Sequence, residues 1–358
     1  MDPSQITLQL AQLMVTRTGK AVELLDALPP GTVAEGVAEL VRARHGLISG
    51  RIRPHDIEQR LVQLQLPADW LARRDLVRVT AAFILRDFEL AEKLLLPILE
   101  RIAQYPADII GPAAVSAGRI YAAKGDLKSA LVWNYRGLGM IGDQLPTIRA
   151  GILNNIACEH CAAGSDITAS ELFERALEIY TREQYWPSAI LVAANLADIM
   201  IDDGRPEEAV QFLLSWERNH PEMTELPESN FFYGILALAT VKTGRIEEAK
   251  ARIAALRSNR TDMDQRFMIS LATSYIHIAE KRLEEARDEL LALRAETHHE
   301  RGLTAILEPL ADVYAALGDF KQAYDCSFER REVLARIKKA IRDISDIEVE
   351  VRRQIRIR

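Results

Sequence analysis

The chain has 358 residues, 48% hydrophobic and 27% charged, with a net charge of −7. This balance supports a large folded core and excludes a disordered chain. The 18 Gly, 14 Pro and 6% aromatics argue against a protein rich in strands and turns. No run of about 18 apolar residues spans a bilayer, and Asp2 stands where a secretory leader would be basic. Three cysteines cannot build a disulfide framework, and the acidic balance lacks the field of a general nucleic-acid binder. A cytoplasmic protein with neither a membrane nor a nucleic-acid partner is expected.

Residues 1–65 carry helical patterns in LAQLMV, AVELLDAL, VAEGVAELV and IEQRLVQLQL, with loops at Pro29-Pro30-Gly31 and around Gly50 to Pro54. From residue 66 onward a signature recurs: an apolar helix end, a short turn, a polar stretch and an alanine. KGDLKSA, DGRPEEA, TGRIEEA and LGDFKQA end at Ala130, Ala209, Ala249 and Ala323. Degenerate copies without the clean Gly turn place Ala91, Ala169 and Ala286 in the same series. The successive spacings are 39, 39, 40, 40, 37 and 37 residues, a period that marks stacked helical hairpins. Twelve positions before six of the seven markers stands a small residue (Gly118, Ala157, Ala197, Ala237, Ser274 or Ala311), which lets two helices approach closely. Gly125, Gly204, Gly244 and Gly318 supply a left-handed residue to end the first helix of each pair.

These residues resemble a tetratricopeptide repeat, most closely over NNIACEHCAAGSDITASELFERALEIY, from Asn154 to Tyr180. The period exceeds the usual one of about 34 residues, so longer helices or connections are expected. The resemblance implies an all-α, right-handed superhelical solenoid of helical hairpins over residues 66–332. Residues 1–65 then form a divergent helical cap.

Residues 333–358 contain neither Gly nor Pro and place Leu334, Ile337, Ile341, Ile344, Val351 and Ile355 at heptad-like steps, with Glu348 at one core position. Residues 330–358 hold ten Lys or Arg against five Asp or Glu. Two readings stand: a long capping helix over the last repeat, or a coiled-coil seam that makes a homodimer or couples to an output domain beyond Arg358. The layout is similar to the input region of bacterial GGDEF diguanylate cyclases, although no GGDEF motif is present. That similarity implies regulation of such a cyclase.

Catalytic motifs are missing: there is no HExxH, GxSxG or GxGxxG. Thr18-Gly19-Lys20 lacks the earlier glycine of a phosphate loop. Cys158-Glu159-His160-Cys161 lies inside a repeat helix, without the helix-start position that activates a thiol and without a second ligand pair for zinc. His298-His299 reach it only through a tertiary contact. No catalytic residue, cofactor or metal is expected. The Glu pairs at 207–208, 247–248 and 284–285 begin helices, where acidic side chains complement the dipole.

The resemblance also implies a concave groove lined by first-helix residues. Carrying the family register across gives Arg119, Asn154, Cys158, Leu191, Asp198, Phe231, Leu238, Tyr275, Ile278 and Asp312. Such a groove takes a protein or peptide partner, with aromatic anchors carrying much of the affinity. The expected function is a non-catalytic sensing and interaction module that couples through its tail. The alternative is a free-standing adaptor that recruits its partner through the groove.

Overall fold

The computed structural model describes residues 3–221, 226, 229–256, 263–297 and 300–356. His298 and His299, and the side chain of Ile355, lie outside the described residues. Every described element is helical. Four helices come first: α1 (Pro3–Thr16), α2 (Thr18–Ala27), α3 (Glu35–Ile48) and α4 (Pro54–Val62). Seven hairpins follow, each with a first helix A and a second helix B. They are α5 (Ala68–Ile84) with α6 (Phe88–Glu100), α7 (Ala107–Ala123) with α8 (Leu127–Ile141), α9 (Pro146–Ala162) with α10 (Asp166–Arg182), and α11 (Trp186–Asp202) with α12 (Pro206–Asn219). Then come α13 (Ser229–Lys242) with α14 (Ile246–Ala254), α15 (Met263–Ala279) with α16 (Leu283–Glu296), and α17 (Glu300–Ala316) with α18 (Phe320–Arg356).

One local device makes all seven hairpins. Three residues separate A from B, and the middle one is left-handed: Arg86, Gly125, Gly164, Gly204, Gly244, Lys281 or Gly318, with φ between 60° and 84°. The amide of the third residue reaches back to a carbonyl in the last turn of A, as in Asp87 to Ala82, Ser165 to His160 and Arg282 to His277, at 2.8–2.9 Å. These bonds satisfy carbonyls that the helix end would otherwise leave open. The copies with a degenerate sequence therefore make the same turn, two of them with a side chain in a region that glycine favours.

The marker alanine is the fourth residue of every B helix, where its amide closes the first helical bond to the last turn residue. Ala91, Ala130, Ala169, Ala209, Ala249 and Ala286 are wholly buried. Capping takes two forms. Asp87 and Asp126 accept from the amides of Leu90 and Ser129 at 3.0 Å, and Asp319 accepts from Gln322 at 3.1 Å. Where Arg205, Arg245 or Arg282 occupies that position, it pairs instead with the acid three residues on: Glu208, Glu248 or Glu285. The extra length of the repeat lies in the helices. From Pro146 to Tyr185 the unit is two 17-residue helices and two three-residue turns.

The chain divides into two units, residues 1–155 with 347–358 and residues 156–346. In the first, α1–α4 share one core with α5: Leu10, Met14, Leu40, Ile57 and Leu61 pack in the same cluster as Trp70, Val77 and Ala81. Arg73 and Asp108 form a buried pair on α5 and α7, Nη2 to Oδ2 2.6 Å. In the second, each B helix presents its large side chain beside the marker, with Phe173, Leu213 and Leu290 buried.

The last B helix, α18, runs for 37 residues without interruption. Ile344 and Val351 are buried within the chain, and Leu334, Ile337 and Ile341 are half-buried. Within the second unit Ile337 and Ile341 pack at Gly164, and Arg336 pairs with Glu300. Within the first, Lys128 pairs with Glu350 at 3.1 Å, and the Tyr135 hydroxyl donates to Glu348. The one polar residue in the heptad pattern thus meets a donor of its own chain.

Candidate functional site

In the second unit, one face of four successive A helices encloses a cavity of about 480 Å³. Helix α11 contributes Asp198, Ile201 and Asp202, and α13 contributes Leu238 and Lys242. Helix α15 adds Met268, Leu271, Tyr275 and Ile278, and α17 adds Arg301, Ala305, Glu308 and Asp312. On α13, α15 and α17 these positions step by three or four, and on α11 Ile201 and Asp202 stand three and four residues after Asp198, the spacing of a single helical face.

The cavity has a mixed lining. Leu238, Leu271, Tyr275, Ile278 and Pro309 are its apolar members. Its polar contacts centre on Arg301, whose side chain is only 17% exposed. Its Nη1 lies 2.7 Å from Asp166 Oδ1 and donates to the Cys161 carbonyl at 3.2 Å, while Nη2 lies 2.6 Å from Asp202 Oδ2. Burial opposes the Arg301 charge, yet Cys161 and the carboxylates of Asp202, Asp198 and Asp166 together raise its pKa. Burial, reinforced by the charge of Asp202, pushes Asp198 up to about 7. Asp202 is also raised by burial, against the pull of Arg301. Lys242 lies 4.4 Å from the Tyr275 ring centroid, and its Nζ donates to the Tyr275 hydroxyl at 3.1 Å. Glu308 is held by Arg330 at 3.1 Å.

Of the groove residues expected from the sequence, Asp198, Leu238, Tyr275, Ile278 and Asp312 line this one cavity. Leu191 and Phe231 belong to the same helices but are not among its lining residues; Leu191 is exposed and Phe231 half-buried. Arg119, in the first unit, is exposed, with its guanidinium 4.2 Å from the Phe83 ring centroid. Asn154 is half-buried on α9, and its Oδ1 accepts no hydrogen bond among the described residues. Arg301, Asp202, Lys242, Met268 and Leu271 were not anticipated. A usable signal existed: Arg301, Ala305, Glu308 and Asp312 follow steps of four, three and four along α17. Arg301 therefore shares the face of Asp312, three turns earlier.

The Cys158–Cys161 segment gives no paired thiols. Cys158 is exposed and Cys161 half-buried. Burial pushes the Cys161 thiol well above its usual range, despite the nearby Arg301. Such a thiol is a poor nucleophile. Glu159 between them is pushed up to about 7 by burial alone. Among the described residues, no group of three or more His, Cys, Asp or Glu is arranged to hold a metal ion. No described helix is long and apolar enough to cross a membrane.

Residues 149–183 match the family model of the tetratricopeptide repeat. The match falls on the α9–α10 hairpin. The chain is also similar to the crystal structure of NprR in complex with its cognate peptide NprX, at 17% identity and a TM-score of 0.54, covering 90% of this chain and 99% of that one. It is similar as well to the apo form of the quorum sensor NprR from B. thuringiensis, at 16% identity and a TM-score of 0.51, covering 83% and 97%. At these identities the likeness is one of fold, a tetratricopeptide-like helical solenoid. No curated protein matches the chain.

Proposed function

We propose that the protein is a non-catalytic interaction module that holds a peptide, free or as a segment of a partner protein, in the cavity formed by α11, α13, α15 and α17. The observation that carries this reading is the cavity itself: one face of four consecutive A helices, lined by both apolar and charged side chains. Pockets of this size and mixed lining suit one or two anchoring side chains. The solved NprR structure, of similar fold, holds a cognate peptide, which supports the same use of the fold here.

In this reading the C-terminal helix is a strut of its own chain. Burial of Ile344 and Val351, and the pairing of Glu348 and Glu350 with Tyr135 and Lys128, favour the strut over a homodimer seam. Regulation of a diguanylate cyclase has no support from the side chains or from the similar solved structures. A free-standing adaptor therefore stands as the simpler form of the function.

The test is capture of peptides from a displayed random library by the immobilised full chain, repeated with Tyr275→Ala and Leu238→Asp. Enriched sequences that lose affinity for both variants, with the helical circular dichroism unchanged, support the reading. Enrichment that is indifferent to both substitutions removes it.

A further inference from the structure

Building on the peptide-groove reading, we propose that the cavity selects a cationic group, an ammonium or guanidinium, carried beside a bulky apolar side chain. Arg301 is consumed by Asp166 and Asp202 at 2.7 and 2.6 Å. Glu308 is held by Arg330, and Lys242 donates to the Tyr275 hydroxyl. Two cavity carboxylates remain. Asp198 and Asp312 accept no hydrogen bond and join no ion pair among the described residues, and both line the cavity.

An arriving carboxylate or phosphate would find Arg301 already shared by two acids and only Lys242 without an ion pair among the described residues, and it would add to a lining where Asp198, Asp202, Glu308 and Asp312 outnumber the two bases. A cation would find open acceptors. It would also relieve the electrostatic cost at Asp198, whose charge is disfavoured by burial and by Asp202. Leu238, Leu271 and Ile278 lie beside these acids, so an apolar side chain next to the cation buries surface at the same time. A hydrogen bond between opposite charges in such a partly desolvated site is stronger than a neutral one.

The experiment uses the full chain and four synthetic octapeptide pools, each labelled at the C-terminus with fluorescein and read by anisotropy. All draw on Leu, Ile, Phe, Gly and Ser. The first adds Lys, the second adds Glu with an acetylated N-terminus, the third adds Lys with an acetylated N-terminus, and the fourth has no charged side chain but keeps its free amine. The Lys pool is expected to bind and the Glu pool to fail. Asp198→Asn and Asp312→Asn are each expected to weaken the Lys pool on the order of tenfold, as for a lost charge-assisted contact. If acetylation abolishes binding, the cation is the N-terminal ammonium; if the acetylated Lys pool still binds, it is the side chain. Neither Asn variant introduces a charge, and Asp312 is exposed, so folding is kept; thermal melts check this. Equal binding of the Glu pool, or indifference to the double Asn variant while Tyr275→Ala still weakens binding, overturns the charge selection and leaves the groove reading standing. Binding of no pool overturns both.

Discussion

Ile337 of α18 occupies the space where Gly164 lacks a side chain. A Cβ built on Gly164 would lie 2.5 Å from Ile337 Cγ2 and 3.6 Å from Ile341 Cδ1. The same glycine has φ +79° in the α9–α10 turn. One position thus serves the hairpin and the seat of the C-terminal helix together.

Gly164 and Gly204 share the turn conformation, but a Cβ on Gly204 meets nothing within 4 Å. Gly204→Ala should cost only the left-handed penalty, about 1–2 kcal/mol. Gly164→Ala should cost that and about 1–3 kcal/mol more for overpacking. Urea melts of the two variants measure the gap, and equal losses would show that α18 does not bear on Gly164.

Arg86 and Lys281 hold the left-handed position with φ of 60° and 61°. Arg86→Gly and Lys281→Gly should each stabilise the fold by roughly 0.5–1 kcal/mol, the relief of the Cβ clash less the flexibility that glycine adds to the unfolded chain. Denaturant midpoints that fall for both would remove the strain argument.

Arg301 is the shared counterion of Asp166 and Asp202. Arg301→Leu should destabilise the second unit by about 1–3 kcal/mol, because Asp166 and Asp202, 29% and 39% exposed, lose a shared counterion that is itself largely buried. Adding Asp202→Asn to Arg301→Leu should recover part of that loss, which a double-mutant cycle reads directly. A cycle with no coupling would place the stability of Arg301 elsewhere.

Asp198 and Glu159 are both pushed up to about 7, by burial in each case and additionally by Asp202 for Asp198. Their unfolded values are about 3.9 and 4.3. Between roughly pH 4 and pH 7 the folded chain therefore keeps protons that the unfolded chain releases, so stability falls as pH rises through that window. Asp202, itself raised by burial, and Arg301, Asp166 and Lys242 are the charged groups that face Asp198. Thermal melts at about pH 5.5 and pH 8 should show a smaller drop for Asp198→Asn and for Glu159→Gln than for the parent chain. Parallel curves would mean that neither acid is protonated in the fold.

Ile344 and Val351 are 0% and 1% exposed. Ile344→Asp and Val351→Asp should each lower the unfolding midpoint, by about 2–5 kcal/mol on the scale of a lost buried aliphatic group, without changing the molar mass in solution. Light scattering that shows a dimer dissociating in these variants would instead assign both side chains to an intermolecular seam.

The sequence by itself determined the hairpin array. The three-residue turn and the marker alanine are local features, set by backbone conformation and by the close approach of neighbouring helices, so each repeat writes them afresh. Even Arg86 and Lys281 obey the series, although no glycine announces their turns. Asp198, Leu238, Tyr275, Ile278 and Asp312, which the register of the resembled family puts on one face, line one cavity. Tertiary structure decided what periodicity cannot encode. Arg301 meets Asp166 and Cys161 across 135 and 140 residues of chain, and no local pattern reports which buried charges will share a counterion. The heptad stripe of α18 was equally open to a partner helix or to its own chain, since an apolar stripe is satisfied by any apolar surface. In the structure Ile337 and Ile341 pack at Gly164, and Tyr135 donates to Glu348.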